Sequence, residues 1–484
     1  MKDFRKILLH FGCLAYLASL SSLSALAQNP AAIQQSLIAS SQAGASPLRF
    51  NPDDFSLPVI QPSGFNHPEE FKIRTGLPNF FRKSASEKKV TIGYLGGSIT
   101  RADNQYRIQS AKFIRSLFPD VEFSGLNAGV SGTGSDLGAC RLYEQLLQYN
   151  PDLIFIEFAV NGAFAEGVEG IIRQIWKRNP NIDICLIYTI PDGLGKIYAD
   201  GGVPQHIAKL ELLAEHYGIP SIHMGMEAAF LEKDNKLIWK ANPDQEKNKI
   251  VFSADGVHPL EAGGNLFAGA IARAMLKMKN QQSSIIHSLP NPFFADNWED
   301  AQMIDPTNFA SFDSQWERIN PATSNDLKQF AGWFPYLMKA EKPGASFTFS
   351  FNGSMVGLFD IGGPEVGQLE IELDGKPLLM KQLNTENYIQ STDSAATRLV
   401  NRFNSYCNNR YRGQCFFVKV LPGEHQVKMN ISAKIPDKVQ ILGNNQKADI
   451  NEHPEKYMRT VGYFGKILIR GQVLPLDQSS KNTK

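Results

Sequence analysis

Short apolar segments alternate with amphipathic ones from Lys89 to Lys279, and this alternation constrains the fold more than any other feature. The apolar segments predict strands at 90–95, 121–126, 153–158, 184–190 and 220–223, and the amphipathic segments predict helices at 106–117, 138–148, 166–177, 204–217 and 261–279. Near-continuous apolar strands separated by helices are typical of a parallel sheet that is covered on both faces. We therefore predict an α/β fold, a doubly wound three-layer α/β/α parallel sheet.

The last third of the chain has a different period. Phe347, Phe349 and Phe351 alternate with small polar residues, which is the period of a half-buried strand. Further strand-like runs lie at 355–360, 369–373, 416–420, 426–431 and 466–469. Turn residues such as Asp374-Gly375 separate them. This pattern predicts a C-terminal antiparallel β-sandwich domain.

The first 27 residues have the parts of a secretory signal peptide. Basic residues precede an apolar stretch that begins at Ile7, and Ala25-Leu26-Ala27 forms a small-x-small cleavage site before Gln28. We predict cleavage after Ala27 and export, to the periplasm or outside the cell. An uncleaved membrane anchor is the alternative, but the interrupted apolar run argues against it. No later segment is apolar enough to predict a membrane span.

Composition assigns the remaining segments. Residues 28–88 are rich in Pro, Asn and Phe and predict an extended N-terminal arm before the domain at 89–282. Residues 283–343 contain several Pro and aromatic residues and predict a connecting region before the sandwich at 344–475. Residues 476–484 predict a disordered tail.

Charge and cysteine content narrow the function classes. The chain has 49 basic and 48 acidic residues and a net charge of +1. It therefore lacks the excess of basic residues expected of a nucleic-acid-binding protein, and no nucleic-acid partner is predicted. Four cysteines follow the signal peptide, and an oxidising compartment preserves disulfides. Cys407 and Cys415 bracket a short polar loop and are the preferred pair among three pairings. Cys140 and Cys185 are interpreted as small buried apolar residues.

Residues suited to acyl chemistry lie in four loops at the predicted carboxyl edge of the sheet, where ligands bind in such folds. They are Ser98 after the first strand, Gly132 after the second, Asn161 after the third, and Asp255 with His258 before the last helix. A serine supplies a nucleophile, and glycine N–H groups and an amide supply oxyanion donors. An acid three residues before a histidine can orient its imidazole as a base.

Other interpretations of these loops fit less well. Thr100 replaces the last glycine of a G-x-S-x-G elbow, and a P-loop would need a Lys-Ser/Thr ending. The glycines around Gly132 miss the dinucleotide-binding spacing and follow the wrong strand. Each loop alone is also consistent with a turn, and a lone serine such as Ser98 is more often a turn residue or a helix cap. The joint occurrence of nucleophile, donors and acid-oriented base favours a catalytic site.

Together the four loops resemble the four sequence blocks of the SGNH (GDSL-type) hydrolase family, across Lys89 to Lys279. The resemblance implies a flavodoxin-like sheet and a catalytic triad of Ser98, His258 and Asp255. It also implies an oxyanion hole formed by the N–H groups of Ser98 and Gly132 and by the amide of Asn161. No cofactor and no metal are expected.

Two positions depart from the family pattern, since glycines stand at 97 and 162 where the family usually has aspartate. The sequence Gly-Gly-Ser-Ile-Thr at 96–100 resembles a branch of carbohydrate O-acetylesterases. This implies an exported serine esterase that removes acyl groups, O-acetyl above all, from an oligo- or polysaccharide. The sandwich resembles the jelly-roll modules that accompany such enzymes, and Tyr388, Tyr406 and Tyr411 are candidates for stacking on sugars.

Two other function classes stay open. One is a polysaccharide O-acetyltransferase that uses the same triad. The other is a catalytically silent glycan-binding protein, which the glycine at 162 suggests. A lipase is disfavoured because no amphipathic lid-like segment flanks the loops.

Overall fold

A computed structural model describes residues 44–103, 105–383, 387–394, 396–443 and 447–475. The predictions of a signal peptide and of a disordered tail concern residues outside these ranges. The described residues all lie within one compact unit, 42–484. Among them, no helix has the length and apolar character needed to cross a membrane.

A mixed seven-stranded sheet organises the first part of the chain. Its strands are β1 (Arg49–Phe50), β2 (Phe71–Lys72), β3 (Lys89–Gly96), β4 (Glu122–Gly129), β5 (Leu153–Glu157), β6 (Asp183–Tyr188) and β7 (Ser221–His223). They are ordered β1-β4-β3-β5-β6-β7-β2. The five inner strands are parallel and have the 2-1-3-4-5 order of flavodoxin-like sheets. The two edge strands are antiparallel to them, and both come from the predicted arm.

Helices connect these strands and form two packed groups. They are α1 (Pro78–Ser86), α2 (Ser98–Arg101), α3 (Tyr106–Leu117), α4 (Ser135–Gln145), α5 (Ala165–Arg178), α6 (Gly195–Ala199), α7 (Gln205–Tyr217), α8 (Met226–Lys233) and α9 (Glu261–Met278). Helix α3 packs against α9, whereas α5 packs against α4 and α7. Right-handed crossovers place these groups on opposite faces of the sheet.

The predicted strands and helices of this part are confirmed, and the helix at 106–117 has the predicted bounds. A parallel pair, β8 (Leu237–Lys240) with β9 (Ile250–Ser253), was not predicted. The arm was predicted to be extended throughout, but it contains the helix α1 and two two-residue strands. Segments of two to four residues are too short to display a hydrophobic period.

A second sheet of twelve strands follows. Its strands are β10 (Ala301–Ile304), β11 (Ser311–Phe312), β12 (Glu317–Ile319), β13 (Leu337–Ala340), β14 (Ser346–Gly362), β15 (Gln368–Leu373), β16 (Lys376–Pro377), β17 (Met380–Gln382), β18 (Tyr388–Ser391), β19 (Leu399–Asn401), β20 (Arg412–Ile431) and β21 (Gly462–Val473). Four short helices accompany them, α10 (Pro306–Phe309), α11 (Lys438–Leu442), α12 (Lys447–Glu452) and α13 (Pro454–Tyr457).

The second sheet is almost entirely antiparallel, as predicted, with one parallel pair between β18 and β20. Strands β10 to β13 lie in the predicted connecting region, so this β-rich domain takes in residues that the sequence analysis placed before it. The strand pairings define a single sheet, and the sandwich arrangement stays a prediction.

The long central strands of the second sheet bury both of their faces. Leu358, Phe416 and Ile467 lie on one face, in a core that belongs to the β-rich domain. Their neighbours on the other face, such as Phe359 and Phe417, join the core of the first domain. Because both faces are buried, the clean polar-apolar alternation of residues 346–351 is lost further along β14.

The predicted disulfide is not formed. All four cysteines of the described residues are buried free thiols. Cys415 lies on β20 and packs into the core that the two domains share, whereas Cys407 packs into a separate small cluster with Phe403 and Tyr457. The two thiols therefore point into different apolar clusters, although only seven residues separate them in sequence.

His223 ends β7 and is buried between Tyr188 and Tyr198, whose hydroxyl lies 2.8 Å from His223 Nδ1. Burial lowers the pKa of His223 from its ordinary value of 6.5 to about 4, although the carboxylate of Glu211 opposes the shift. Between these two values the unfolded chain binds a proton that the folded chain rejects. The free energy of unfolding therefore rises with pH across this interval.

We expect His223→Gln to weaken this pH dependence. Through His223, the wild-type protein should lose up to about 3 kcal/mol of unfolding free energy as the pH falls from 6.5 to 4. Guanidinium denaturation of both proteins at several pH values measures the difference. His453→Gln is the control, because the His453 side chain is 45% exposed. An unchanged slope in His223→Gln would contradict the assignment.

Candidate active site

Ser98 is the first residue of α2 and follows β3 through a tight turn of two glycines. A methyl group on Gly96 would lie 2.2 Å from Thr100 Oγ1, so only glycine fits there. Ser98 is 7% exposed. The turn thus presents a hydroxyl at the carboxyl edge of the sheet while its backbone stays packed.

The structure brings Ser98, His258 and Asp255 into one chain of hydrogen bonds. Ser98 Oγ lies 2.7 Å from His258 Nε2, and His258 Nδ1–H donates to Asp255 Oδ2 over 2.5 Å. The carboxylate therefore fixes the tautomer in which Nε2 can accept the serine proton. The Asp255 and His258 side chains are largely buried, at 12% and 20% exposure.

Asp255 is held as a carboxylate. Burial raises its pKa. Hydrogen bonds from the His258 side chain and from the N–H groups of Val257 and His258 lower the pKa by more than burial raises it, so the net pKa lies below its usual value. The backbone bonds to Oδ1 measure 2.9 and 2.8 Å. A spacing of three residues allows one carboxylate to bind both the backbone and the imidazole.

The missed strand pair supports this turn. Strand β9 leads directly into it, and Gly256 adopts a φ of +91° that favours glycine. The N–H of Gly256 donates to Ser253 Oγ at 2.8 Å, and Trp239 Nε1 of β8 donates to the Gly256 carbonyl at 3.2 Å. The β8–β9 pair thus fixes the position of the turn that carries Asp255 and His258.

The loops after β4 and β5 meet beside Ser98. Gly132 is exposed and has a φ of +69°. Asn161 Nδ2 donates to the carbonyl of Thr133 at 2.8 Å, which ties the two loops together. An amide carries two N–H groups, so Asn161 can bind Thr133 and still offer a donor to a ligand.

Both departures from the family pattern have a structural reason. A methyl group on Gly97 would lie 2.4 Å from Asn161 Nδ2, so the absent side chain makes room for that amide. Gly162 has a φ of +88°, in the region that favours glycine. The two glycines therefore flank Asn161, one giving it space and the other allowing its turn.

The β-rich domain contributes Arg412, which the sequence analysis missed. A methyl group on Gly132 would lie 3.5 Å from Arg412 Nη2. The guanidinium also lies 4.8 Å from the ring centre of Tyr406, and its Nη1 donates weakly to Asn404 Oδ1 at 3.4 Å. No carboxylate of the described residues lies within 4.0 Å of it. Nothing in the sequence near Arg412 indicates this contact, which only the packing of the two domains creates.

The three tyrosines proposed as sugar platforms have different surroundings. The prediction is wrong for Tyr388, whose hydroxyl donates to Asp136 Oδ2 at 2.7 Å and whose ring packs on Phe417. The Tyr411 hydroxyl is bound to the Glu365 carboxylate. Tyr406 is half-buried next to Arg412. Tyr388 thus joins the domains at the first turn of α4, the helix that follows Gly132.

No protein-family model matches the chain, and no curated protein matches it in sequence. Solved structures do match. A two-domain esterase (CEX) active on acetylated mannans, co-crystallised with mannopentaose, is 18% identical with a TM-score of 0.58, over 82% of this chain and 94% of that one. A second structure of a two-domain esterase (CEX) active on acetylated mannans gives 17% and 0.59, over 83% and 97%.

A catalytic mutant of Axe2, an acetylxylan esterase from Geobacillus stearothermophilus, matches 40% of this chain and 97% of its own length, with 18% identity and a TM-score of 0.30. These structural neighbours are esterases. The two CEX structures share the fold of both domains of this chain. The likeness to these two-domain esterases confirms the predicted fold, in which a flavodoxin-like parallel sheet precedes a β-rich domain.

We expect Gly97→Ala to displace the Asn161 amide, because the added methyl group would overlap it. Any ester hydrolysis by the protein should fall roughly tenfold or more, as when an oxyanion donor is misplaced. A double-mutant cycle with Asn161→Ala measures the coupling. In the Asn161→Ala background, Gly97→Ala should have little further effect. Independent, multiplying losses would contradict the steric explanation.

Proposed function

We propose that this protein is an exported serine esterase that removes O-acetyl groups from a carbohydrate. The hydrogen-bonded chain from Ser98 through His258 to Asp255 carries this proposal, because nucleophilic acyl transfer needs that order of groups. The fold shared with esterases supports it.

In this mechanism Ser98 Oγ attacks the ester carbonyl while His258 Nε2 takes the serine proton. His258 then gives that proton to the sugar oxygen as the ester C–O bond breaks, so the sugar leaves with a free hydroxyl, and Asp255 stabilises the imidazolium. The N–H groups of Ser98 and Gly132 and the Asn161 amide bind the developing oxyanion, each donor contributing roughly 10²–10³ in rate. Water, activated by His258, releases acetate and restores the serine.

The substrate is proposed to be an acetylated oligo- or polysaccharide. Both solved CEX structures come from an esterase active on acetylated mannans. The β-rich domain, predicted to be jelly-roll-like, places Arg412 beside Gly132 and Tyr406 beside Arg412. A guanidinium and an aromatic ring are groups that bind sugar hydroxyls and sugar faces. Export, predicted from residues 1–27, fits a polymeric substrate outside the cytoplasm.

Ser98→Ala should abolish acetate release from acetylated mannan or xylan, since no nucleophile remains. Acetate is measured enzymatically, and circular dichroism verifies that the variant is folded. Full hydrolysis by Ser98→Ala would overturn the proposal. Transfer of acetyl to sugar acceptors in excess of hydrolysis would identify an acetyltransferase instead, and oligosaccharide binding without any turnover would identify a silent glycan-binding protein.

Arg412→Ala should separate sugar binding from acyl chemistry. We expect KM for an acetylated oligosaccharide to rise about tenfold, the loss of about 1.4 kcal/mol in a charge-assisted hydrogen bond. Kinetics on p-nitrophenyl acetate, which carries no sugar, should change less than twofold. Arg318→Ala is the matched control, since Arg318 stacks on Tyr336 in the same domain. Equal losses on both substrates would place the effect of Arg412 on the catalytic loops.

A further inference from the structure

Glu157 is a buried carboxylate beside the turn that carries Ser98. It ends β5, pairs in register with Gly96 and is 2% exposed. It is the one charged residue in the apolar segment 153–158. Within the part of the chain that the structure describes, no basic nitrogen lies within 4.0 Å of its oxygens. A buried carboxylate without a cationic partner opposes stability, and such groups are retained mainly where function needs them.

Two buried hydroxyls bind this carboxylate. Thr100 Oγ1 donates to Glu157 Oε2 at 3.1 Å and lies 2.7 Å from the hydroxyl of Tyr106. Thr189 Oγ1 donates to Glu157 Oε1 at 2.5 Å. Thr100 belongs to α2, the single helical turn that begins with Ser98. One hydrogen bond therefore connects the carboxylate to the helical turn of the nucleophile.

The pKa of Glu157 depends on groups that surround Ser98. Burial raises the pKa of Glu157, while the two threonine hydroxyls, the N–H of Gly97 and the nearby imidazole of His258, when it is protonated, lower it. The groups that set the pKa of Glu157 therefore include the N–H before Ser98 and the imidazole beside it.

Arg141 fixes the same turn from α4, on the opposite face of the sheet. Its Nη2 donates to the carbonyl of Gly96 at 3.0 Å, and its Nη1 donates to the carbonyl of Ala128. The turn is therefore held before Ser98 by a guanidinium and after Ser98 by a carboxylate.

We propose that Glu157 is a positioning residue, which in its ionised form holds α2 so that Ser98 Oγ stays aligned with His258 Nε2. This inference rests on the proposed esterase function. It assigns Glu157 no contact with substrate, because Thr100 lies between the carboxylate and the nucleophile.

Glu157→Gln tests the proposal, since glutamine keeps the size but loses the charge. We expect kcat to fall roughly ten- to hundredfold, as for a small misplacement of a reacting group. KM should stay within about twofold, because no substrate contact is lost. Inactivation by a p-nitrophenyl phosphonate, which reports serine reactivity without a sugar, should slow by the same factor as kcat. The melting temperature should stay equal or rise, because a buried charge is removed.

The acid side of the pH profile gives a second readout. Because the pKa of Glu157 is raised, it takes up a proton at higher pH than an ordinary glutamate. The wild-type kcat/KM should then fall steeply with decreasing pH, since both Glu157 and the base must be unprotonated. The Glu157→Gln protein should fall less steeply. A carboxylate with only a structural role would leave this slope unchanged.

Glu169→Gln is the matched control. Glu169 is buried on α5 and accepts hydrogen bonds from the Tyr217 hydroxyl and from the N–H of Phe294, away from the catalytic loops. This variant also removes a buried charge, but it should leave kcat and KM within about twofold. Thr100→Val provides the test if Glu157→Gln fails to fold, and it should reproduce the loss of kcat at constant KM.

The outcomes separate the two proposals. If the wild-type protein neither hydrolyses acetate esters nor reacts with the phosphonate, the esterase function and the role of Glu157 both fall. If the wild-type protein is active, Ser98→Ala is inactive and Glu157→Gln keeps kcat within about threefold, only the role of Glu157 falls. Loss of kcat with unchanged KM and a shallower acid limb supports it.

Discussion

The site depends on the parallel register of three neighbouring strands. Gly96 of β3 pairs with Gly129 of β4 on one side and with Glu157 of β5 on the other, so the three strands end at the same height. The loops that follow therefore begin side by side. A shift of one residue in either pairing would turn the strand over and carry its loop away from Ser98. The hydrogen bonds between the loops could not form without this alignment.

Residues distant in sequence complete the arrangement. The turn of Asp255 and His258 is supported by Trp239 and Ser253, from the short β8–β9 pair. Arg141 and Glu157 are hydrogen-bonded to the turn that carries Ser98, so the geometry of this turn is set before any ligand arrives. Preorganisation lowers the barrier of acyl transfer in enzymes, because no reorganisation is needed during the reaction.

Much of the first domain could be predicted from sequence because its signals are local. A helix such as Tyr106–Leu117 has enough turns to show its apolar face, and the inner strands are continuous apolar runs. The pairing of Arg49–Phe50 with β4 could not be predicted, since two residues carry no period. The position of Arg412 could not be predicted either, because its contact with Gly132 depends on the packing of the two domains. Glu157 did leave a signal, a single acid at the end of an apolar strand, but its meaning required knowledge of Thr100 and Thr189.

One apolar cluster runs without interruption from the parallel sheet into the face of the second sheet that carries Phe359 and Phe417. The β-rich domain is therefore no detachable module joined by a linker. Removal of the β-rich domain would expose a large apolar surface to water and would promote self-association. Heating should accordingly unfold both domains in a single cooperative transition. In evolution, the β-rich domain can be exchanged for another only if the apolar face of the first domain that it covers changes as well.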